Sequence, residues 1–216
     1  MTLSPRLDVL PDAQRALWPA LASVPRSFVL YGGTALALRL GHRQSIDFDF
    51  FSHDAFDHRE LDRSMGWLRS ATTLQESADT RTVLVPGARE VKVSFFGGIQ
   101  FGRVGDPELT EDGVLRIASL PDLAGTKIKA LLQRVEAKDY LDVAALLDHV
   151  SLSIVLGAAR TLFGPAFNPI VAQKALTYFE GGDLEQVPDA VRARLRDHAA
   201  RRVELADLPR RSARLD

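Results

Sequence analysis

The chain has 216 residues, no cysteine and a formal net charge of -1, and 46% of its residues are hydrophobic. This composition predicts a soluble enzyme of one or two domains and excludes a disulfide framework or a thiol nucleophile. The nearly neutral charge argues against a wide nonspecific nucleic-acid surface, although an RNA partner remains compatible with it. Since the chain has no apolar run of the roughly 20 residues that span a membrane, and its N-terminus is unlike a secretory peptide, we expect a cytoplasmic protein without a membrane partner.

The predicted elements, in chain order, begin with a helix over residues 12–21, followed by a strand, a turn, a helix and a second strand within residues 28–51. A helix over residues 59–69 and a pair of strands around Gly97-Gly98 come next. The remaining segments are helical and separated by Gly or Pro: residues 123–149, 153–163, 169–180 and 188–205. We therefore predict an α+β fold with a mixed sheet, flanking helices and a helical C-terminal region, divided into residues 1–118 and 119–216.

The most informative window is the second strand of residues 28–51, which alternates strictly between apolar and acidic residues. A period of two places Asp47 and Asp49 on one face of a sheet, about 7 Å apart along the strand at Cα, and Phe48 and Phe50 on the other. Two carboxylates this close repel each other unless a cation lies between them. Magnesium prefers carboxylate oxygens and is commonly shared with substrate phosphates, so the pair indicates phosphoryl or nucleotidyl transfer.

A Gly-Gly turn just before the helix of the same window provides a candidate phosphate site. Backbone N–H groups at Gly32, Gly33 and Thr34, at the positive end of a helix dipole, can bind a triphosphate without a bulky side chain in the way. Each half of the window has an ordinary structural explanation, since Gly-Gly pairs are common turns and Asp-x-Asp strands often face water. The combination of the two halves is more specific than either alone.

Gly-Gly, thirteen intervening residues and Asp-x-Asp together resemble the pattern of the polymerase-beta-like nucleotidyltransferases. With Arg43 and Ser45 just ahead of the acids, the window is similar to the AbiEii/AbiGii-type toxin branch. The resemblance implies that Asp47 and Asp49 are catalytic and bind Mg²⁺, with Mn²⁺ as the alternative ion. It further implies an NTP substrate held by the Gly-Gly segment, Arg43 and Ser45, an RNA or tRNA acceptor, and a separately encoded antitoxin protein.

Residues 121–147 resemble a downstream block of the same family, in which a lysine, an arginine, a basic-Asp pair and a further Asp follow one another. By this resemblance Lys127 and Asp139 are catalytic, Arg134 contributes to nucleotide binding, and Asp142 is the further acid. The alternative is a solvated helix face with ordinary charge pairs at helical spacing, such as Lys138 with Asp142.

One position departs from the family, whose members usually carry a third carboxylate on a neighbouring strand. Residues 90–96 alternate like that strand and offer Ser94 at the corresponding place, with Lys92 on the same face as a cation that weakens metal binding. Three explanations stay open: the two aspartates suffice together with substrate phosphates, another acid such as Asp106 or Glu108 completes the site, or activity is lost. We prefer the first.

The sequence thus predicts a metal-dependent nucleotidyltransferase that moves a nucleoside monophosphate from an NTP to a hydroxyl acceptor and releases pyrophosphate. A degenerate member that binds a nucleotide or a protein without turnover is the alternative, and a small-molecule acceptor such as an aminoglycoside uses the same chemistry. Arginines enrich the C-terminal tail and could bind RNA phosphates, or belong to a solvated helix with a frayed end: Arg192, Arg194, Arg196, Arg201, Arg202, Arg210, Arg211 and Arg214.

Overall fold

The computed structural model describes residues 2–216, which form two compact units. The first unit contains the described residues up to Ser119 together with Ser212–Asp216, and the second contains Leu120–Arg211. The boundary predicted from the sequence lies between residues 118 and 119, with all of residues 119–216 in the helical region. The last residues instead lie in the first unit, where Leu215 is fully buried.

The first unit is built on a mixed sheet whose eight strands lie in the order β1-β7-β8-β2-β3-β6-β5-β4 within residues 2–216. Three neighbouring pairs are parallel, namely β1 with β7, β2 with β8, and β3 with β6, and the others are antiparallel. The strands are β1 (Thr2–Leu3), β2 (Val29–Tyr31), β3 (Asp47–Phe51), β4 (Thr72–Ser77), β5 (Thr80–Val85), β6 (Val91–Phe96), β7 (Glu108–Thr110) and β8 (Arg116–Ile117).

Helices α1 (Asp12–Leu17), α2 (Gly32–Leu40) and α3 (His58–Ser64) belong to the same unit. Helix α1 gives way to a 3-10 helix at Trp18–Ser23, so the predicted helix is present but changes its winding part-way. Helix α2 ends at Leu40, and the following Gly41 adopts a left-handed φ of 65° and donates its N–H to the Ala37 carbonyl.

The core of the first unit confirms the alternation that was read from the central strand. Phe48 and Phe50 are fully buried, and the ring of Phe50 stacks on Phe95 of β6 with 5.4 Å between centroids. Phe28 packs edge-on against the same Phe95 ring, with 5.3 Å between centroids. Burial of these rings fixes which face of β3 points into the core, so Asp47 must point to the other face.

The second unit consists of five α-helices within its described residues, and its longest predicted helix, residues 123–149, is two helices in the structure. The helices are α4 (Leu120–Leu131), α5 (Ala137–Leu147), α6 (Leu152–Phe163), α7 (Pro169–Ala175) and α8 (Asp189–Ala199). Asp183 accepts a hydrogen bond from the Ala137 N–H at 2.6 Å and thereby satisfies the start of α5. That cap comes from a residue far along the chain, so local sequence signals could not reveal the break.

Two further local predictions were wrong. The hairpin turn between β5 and β6 lies at residues 86–90, whereas Gly97-Gly98 follows the end of β6. There the Gly97 and Gly98 N–H groups bond to the carbonyls of Asp79 and Asp54, so the glycines serve close backbone approach and not a hairpin. The predicted helices over residues 169–180 and 188–205 end earlier, at Ala175 and Ala199.

The predicted fold class is confirmed: a mixed sheet with flanking helices is followed by a helical C-terminal region. In the part of the chain that the structure describes, no single helix has the length and apolar character to cross a membrane. The bent pair Ala137–Leu147 and Leu152–Ala166 reaches that length and apolar content only when both helices are taken together.

Candidate active site

The aspartate pair lies on β3, between two strands that run beside it. Asp49 is the cross-strand partner of Tyr31 on β2 and of Ser94 on β6. Asp47 faces Lys92 on β6, and its carboxylate forms an ion pair with the Lys92 ammonium at 3.0 Å. The Asp47 side chain is 32% exposed, so this part of the sheet can be reached by a ligand from solvent.

The Gly-Gly segment meets the aspartate strand at very short range. Gly32 has a left-handed φ of 76°, and a Cβ atom on it would lie 2.7 Å from Oδ2 of Asp49. Only glycine therefore allows the start of α2 and the Asp49 carboxylate to approach this closely. The first turn of α2 and one carboxylate of the pair lie side by side.

Two further predicted residues converge on the second glycine. A Cβ atom on Gly33 would lie 2.8 Å from an Nη2 atom of Arg43 and 2.9 Å from the Ser45 hydroxyl. A guanidinium and a hydroxyl are thus placed against the first turn of a helix that begins without a side-chain cap from Tyr31. Such a turn offers backbone N–H groups to an anion, and Arg43 adds positive charge at the same place.

Thr34, predicted to bind nucleotide, has a buried side chain that is used within the fold. Its hydroxyl donates a hydrogen bond to the backbone carbonyl of Asp47. This bond links α2 to the start of the aspartate strand, so the Thr34 hydroxyl helps to position the helix relative to Asp47. Its backbone N–H remains part of the first turn of α2.

A hydroxyl pair lies at the place where the resemblance predicts a third acid. Ser94 lies beside Asp49 in the sheet and beside Thr82 of β5 on its other side. The Ser94 and Thr82 hydroxyl oxygens are 3.3 Å apart, and both residues are buried. Across the three neighbouring strands, the carboxylate of Asp49 is therefore followed by the neutral hydroxyls of Ser94 and Thr82.

The two acids considered as substitutes are engaged elsewhere in the first unit. Glu108 forms an ion pair with Arg39, and Asp106 forms one with Arg103. Among residues 2–216 no group of three or more His, Asp or Glu side chains is close enough to hold a metal ion. The described residues thus give no support to the explanation in which another acid completes the site.

The residues of the downstream block meet one another inside the second unit. The Lys127 ammonium lies 2.9 Å from Oδ1 of Asp139 and 2.7 Å from Oδ2 of Asp142. Arg134 donates two hydrogen bonds to the Asp139 carboxylate, at 2.6 and 2.9 Å. Lys127 and both aspartates are buried. We call these four residues the buried charge cluster.

Burial opposes the ionisation of Asp139, but the hydrogen bonds from Arg134 and the charge of Lys127 outweigh it and hold the pKa of the Asp139 carboxyl below its ordinary value. The cluster contains two cations and two carboxylates, so its charges balance within the unit. The alternative pairing of Lys138 with Asp142 is wrong: Lys138 pairs with Glu136. A catalytic role for Lys127 and Asp139 and a nucleotide-binding role for Arg134 stay predictions.

The tail arginines do not form one uniform surface. Arg192 and Arg194 donate to backbone carbonyls of their own unit, and Arg214 pairs with Asp54 of the first unit. Arg196 instead stacks on Phe179, with its guanidinium 5.0 Å from the ring centre, and borders an open groove of about 560 Å³. None of the seven described residues that line this groove is acidic: Ile170, Gln173, Lys174, Thr177, Arg196, Ala199 and Ala200.

Two contacts of the site were missed by sequence reasoning. Lys92 was placed on the correct face, but its ion pair with Asp47 depends on the strand register. Thr82 was not singled out, because the turn between β5 and β6 was placed wrongly. The Pro86-Gly87 pair was the available signal for that turn.

Comparison with known proteins agrees with the fold and the motif. A family model described as nucleotidyl transferase AbiEii toxin, type IV TA system, matches residues 15–212. An uncharacterized protein from Aquifex aeolicus is 38% identical over 118 residues, which cover 54% of this chain and 55% of that protein. The matched region thus spans about half the length of this curated relative.

Two solved structures share the fold. A candidate nucleotidyltransferase from H. pylori superposes with a TM-score of 0.57 at 20% identity, covering 86% of this chain and 89% of that one. MenT4, a nucleotidyltransferase toxin from Mycobacterium tuberculosis, gives a TM-score of 0.62 at 15% identity, covering 87% and 80%. The resemblance seen in the sequence is confirmed: the chain belongs to the AbiEii nucleotidyltransferase toxin family of type IV toxin–antitoxin systems.

Proposed function

We propose that this protein transfers a nucleoside monophosphate from an NTP to a hydroxyl group of an RNA acceptor, with tRNA as the leading candidate. In this proposal it acts in the cytoplasm as the toxin of a toxin–antitoxin pair, and a separately encoded antitoxin opposes it. Family membership supports the reaction class, and the local geometry of the first unit supports the roles of individual residues.

One observation carries the proposal. The first turn of α2 touches the Asp49 carboxylate at Gly32 and is approached by Arg43 and Ser45 at Gly33. Groups that bind phosphate and a group that binds cations therefore occupy one small region, which is what a nucleotide with its metal ion requires. A Gly-Gly turn or an acidic strand alone would not produce this arrangement.

The aspartate pair is chemically suited to a divalent ion. Asp47 and Asp49 supply hard carboxylate oxygens from one face of the sheet, and magnesium needs only one or two protein carboxylates when phosphates fill its other positions. An ion bound there would polarise the phosphate and acidify the attacking hydroxyl. Manganese, which takes the same ligands, is the alternative ion.

The residues of the site have separate tasks in the proposed reaction. The N–H groups of the first turn of α2, with Arg43, hold and neutralise the phosphates of the NTP. The acceptor oxygen forms a bond to the α-phosphorus, the bond from that phosphorus to the bridging oxygen breaks, and pyrophosphate leaves. The hydroxyl proton passes to a carboxylate of the Asp47–Asp49 pair.

The open groove of the second unit supports RNA as the acceptor. Lys174 and Arg196 give it positive charge, and the guanidinium of Arg196 is held in place by its contact with Phe179. Tyr178 follows the groove residue Thr177 in the sequence and is 53% exposed, so its ring is available for base stacking. Single-stranded RNA, which combines phosphates with stackable bases, suits such a surface.

A second candidate, binding without turnover, is favoured by one observation. Ser94 and Thr82 occupy the row in which a third carboxylate is usual, and Lys92 already pairs with Asp47. A degenerate member would show these changes and would still bind a nucleotide or a protein partner.

The two candidates differ in whether label is transferred. Purified protein is incubated with Mg²⁺, total cellular RNA and each of the four α-labelled NTPs in turn. We expect label on RNA with at least one NTP, and none with the Asp47→Asn, Asp49→Asn variant. Asp8→Asn, which removes an exposed aspartate paired with Arg6, is the matched control and should transfer like the natural chain.

Nucleotide binding without label on RNA, in a folded protein, would favour the binding module. Label on an added aminoglycoside but not on RNA would keep the transferase and replace the acceptor. Co-expression with the antitoxin gene, scored by growth, tests the toxin assignment separately from the chemistry.

A further inference from the structure

The candidate site carries its own cation. The Lys92 ammonium lies 3.0 Å from Oδ2 of Asp47, and the two residues are cross-strand partners of adjacent parallel strands. The Lys92 side chain is 41% exposed, so the pair lies on a solvent-accessible part of two central strands and not in the core. A lysine at this place reduces the repulsion between Asp47 and Asp49 before any ion binds.

The neighbouring row adds no negative charge. Beside Asp49 the sheet continues into the buried hydroxyls of Ser94 and Thr82, which are 3.3 Å apart. Neutral hydroxyls bind magnesium far more weakly than carboxylates. Among the described side chains of this row, Asp47 and Asp49 are the carboxylates and Lys92 is the cation, so the protein itself supplies little negative charge for a second divalent ion.

We propose that this site binds a single divalent ion and that the Lys92 ammonium takes the place of a second cation beside Asp47. The inference rests on the proposed function, because it assumes that Asp47 and Asp49 are the metal-binding pair. Lys92 is then a positioning residue: it acts through Asp47 by competing with the ion for that carboxylate and by supplying positive charge where a second ion would lie.

The proposal is tested by manganese binding, which does not depend on turnover. Mn²⁺ is titrated into metal-free protein and the free ion is followed by electron paramagnetic resonance. Lys92→Met should bind the ion on the order of tenfold more tightly than the natural chain, because the competing ammonium is gone. Lys92→Arg keeps the charge and should stay within about threefold of the natural chain.

Lys138→Met is the matched control, since it removes the same charge from an exposed ion pair with Glu136 in the other unit. It should leave the Mn²⁺ affinity unchanged. Equal affinities for Lys92→Met and Lys138→Met, or no binding by either, would overturn the proposal. Circular dichroism should show native secondary structure for all variants, because both lysines are at least 41% exposed.

The number of ions is measured in the complex with an NTP analogue that cannot be cleaved between its α- and β-phosphates. We expect one Mn²⁺ per chain and an isolated six-line resonance. Two ions with a spin-coupled spectrum would overturn the proposal even if label is transferred to RNA. One ion without any label transfer would instead leave this inference standing and remove the proposed function.

Discussion

The two units contain the same pair of residue types, lysine with aspartate, in opposite surroundings. In the first unit Lys92 pairs with Asp47 on a solvent-accessible part of the sheet. In the second, Lys127 pairs with Asp139 and Asp142, and all three are buried, while Arg134 binds Asp139 from a side chain that is 44% exposed. We expect a ligand to replace the first lysine at small cost, whereas removal of Asp139 from the second takes away the carboxylate that Lys127 and Arg134 share. We therefore expect burial, and not residue type, to decide which of the two pairs contributes more to stability.

The largest expected effect lies in the buried charge cluster. Asp139→Ala should lower the free energy of unfolding by about 3–5 kcal/mol, because it leaves Lys127 and Arg134 without their shared carboxylate. Urea unfolding followed by circular dichroism measures the loss. Asp148→Ala, which breaks an exposed pair with Arg194, is the control and should cost at most about 1 kcal/mol. Similar values for the two variants would remove the distinction between the units.

The aspartate pair should respond in the opposite way. Asp49→Asn should reduce label transfer by on the order of 10²–10³-fold, since it removes charge that the proposed chemistry requires. Its thermal midpoint should stay close to that of the natural chain, because Asp49 is not part of the core. A large loss of stability with label transfer retained would mean that Asp49 stabilises the fold, and it would contradict the contrast between the aspartate pair and the buried charge cluster.

Acid should weaken the buried cluster specifically. The folded pKa of Asp139 is lowered, so its pairing stabilises the protein above the ordinary carboxyl pKa of about 3.9, and this contribution is lost as the pH falls through the lower folded value. Arg134→Gln should therefore be less stable by about 1–2 kcal/mol at pH 7, since the Arg134 side chain is 44% exposed and solvent screens part of the interaction. Urea midpoints measured between pH 7 and pH 3 should show that the stability difference between the natural chain and this variant shrinks only below about pH 4. A stability difference that stays constant with pH would mean that Arg134 does not act through Asp139.

The two glycines of the first unit separate stability from function on a smaller scale. Gly32→Ala should cost about 1–2 kcal/mol, because its φ is left-handed and its Cβ would meet the Asp49 carboxylate. Gly33→Ala has no left-handed φ and should be close to neutral in stability, yet it would displace Arg43 and Ser45 and weaken NTP binding. Thermal melts and nucleotide titrations of both variants check this, and equal effects would contradict it.

The smallest effect concerns the open groove. Lys174→Ala with Arg196→Ala should weaken RNA binding by roughly tenfold and reduce the slope of log K against log salt by about 1.4, the value for two phosphate contacts on a single strand. Arg15→Ala with Lys138→Ala removes two positive charges elsewhere and should leave the slope unchanged. Filter binding at several salt concentrations measures the affinity and the slope for each double variant. Equal slopes for the two would mean that RNA binds at another surface.

Local rules revealed much of the site from the sequence. Strand alternation is a property of five consecutive residues, so the shared face of Asp47 and Asp49 followed without knowledge of the fold. The Gly-Gly segment and the acids were linked by family pattern, but the contact of Gly32 with Asp49 needed the helix to fold back on the strand. The pairing of Lys127 with Asp139 was hidden, because the helix between them is interrupted and its restart is capped by Asp183. Contacts between distant residues decide such features.

Because residues 212–216 belong to the first unit, the order in which the chain is synthesised affects when that unit can finish folding. Ser212 forms a β-bridge with Arg103, and Leu215 is fully buried beside it in sequence. A ribosome adds about 5–20 residues per second and domains tend to fold as they emerge, so several seconds separate the two halves of this bridge. The first unit therefore completes its packing only after the entire helical unit has been translated. A product that stops short of Ser212 carries the aspartate strand on a fold whose last segment is missing.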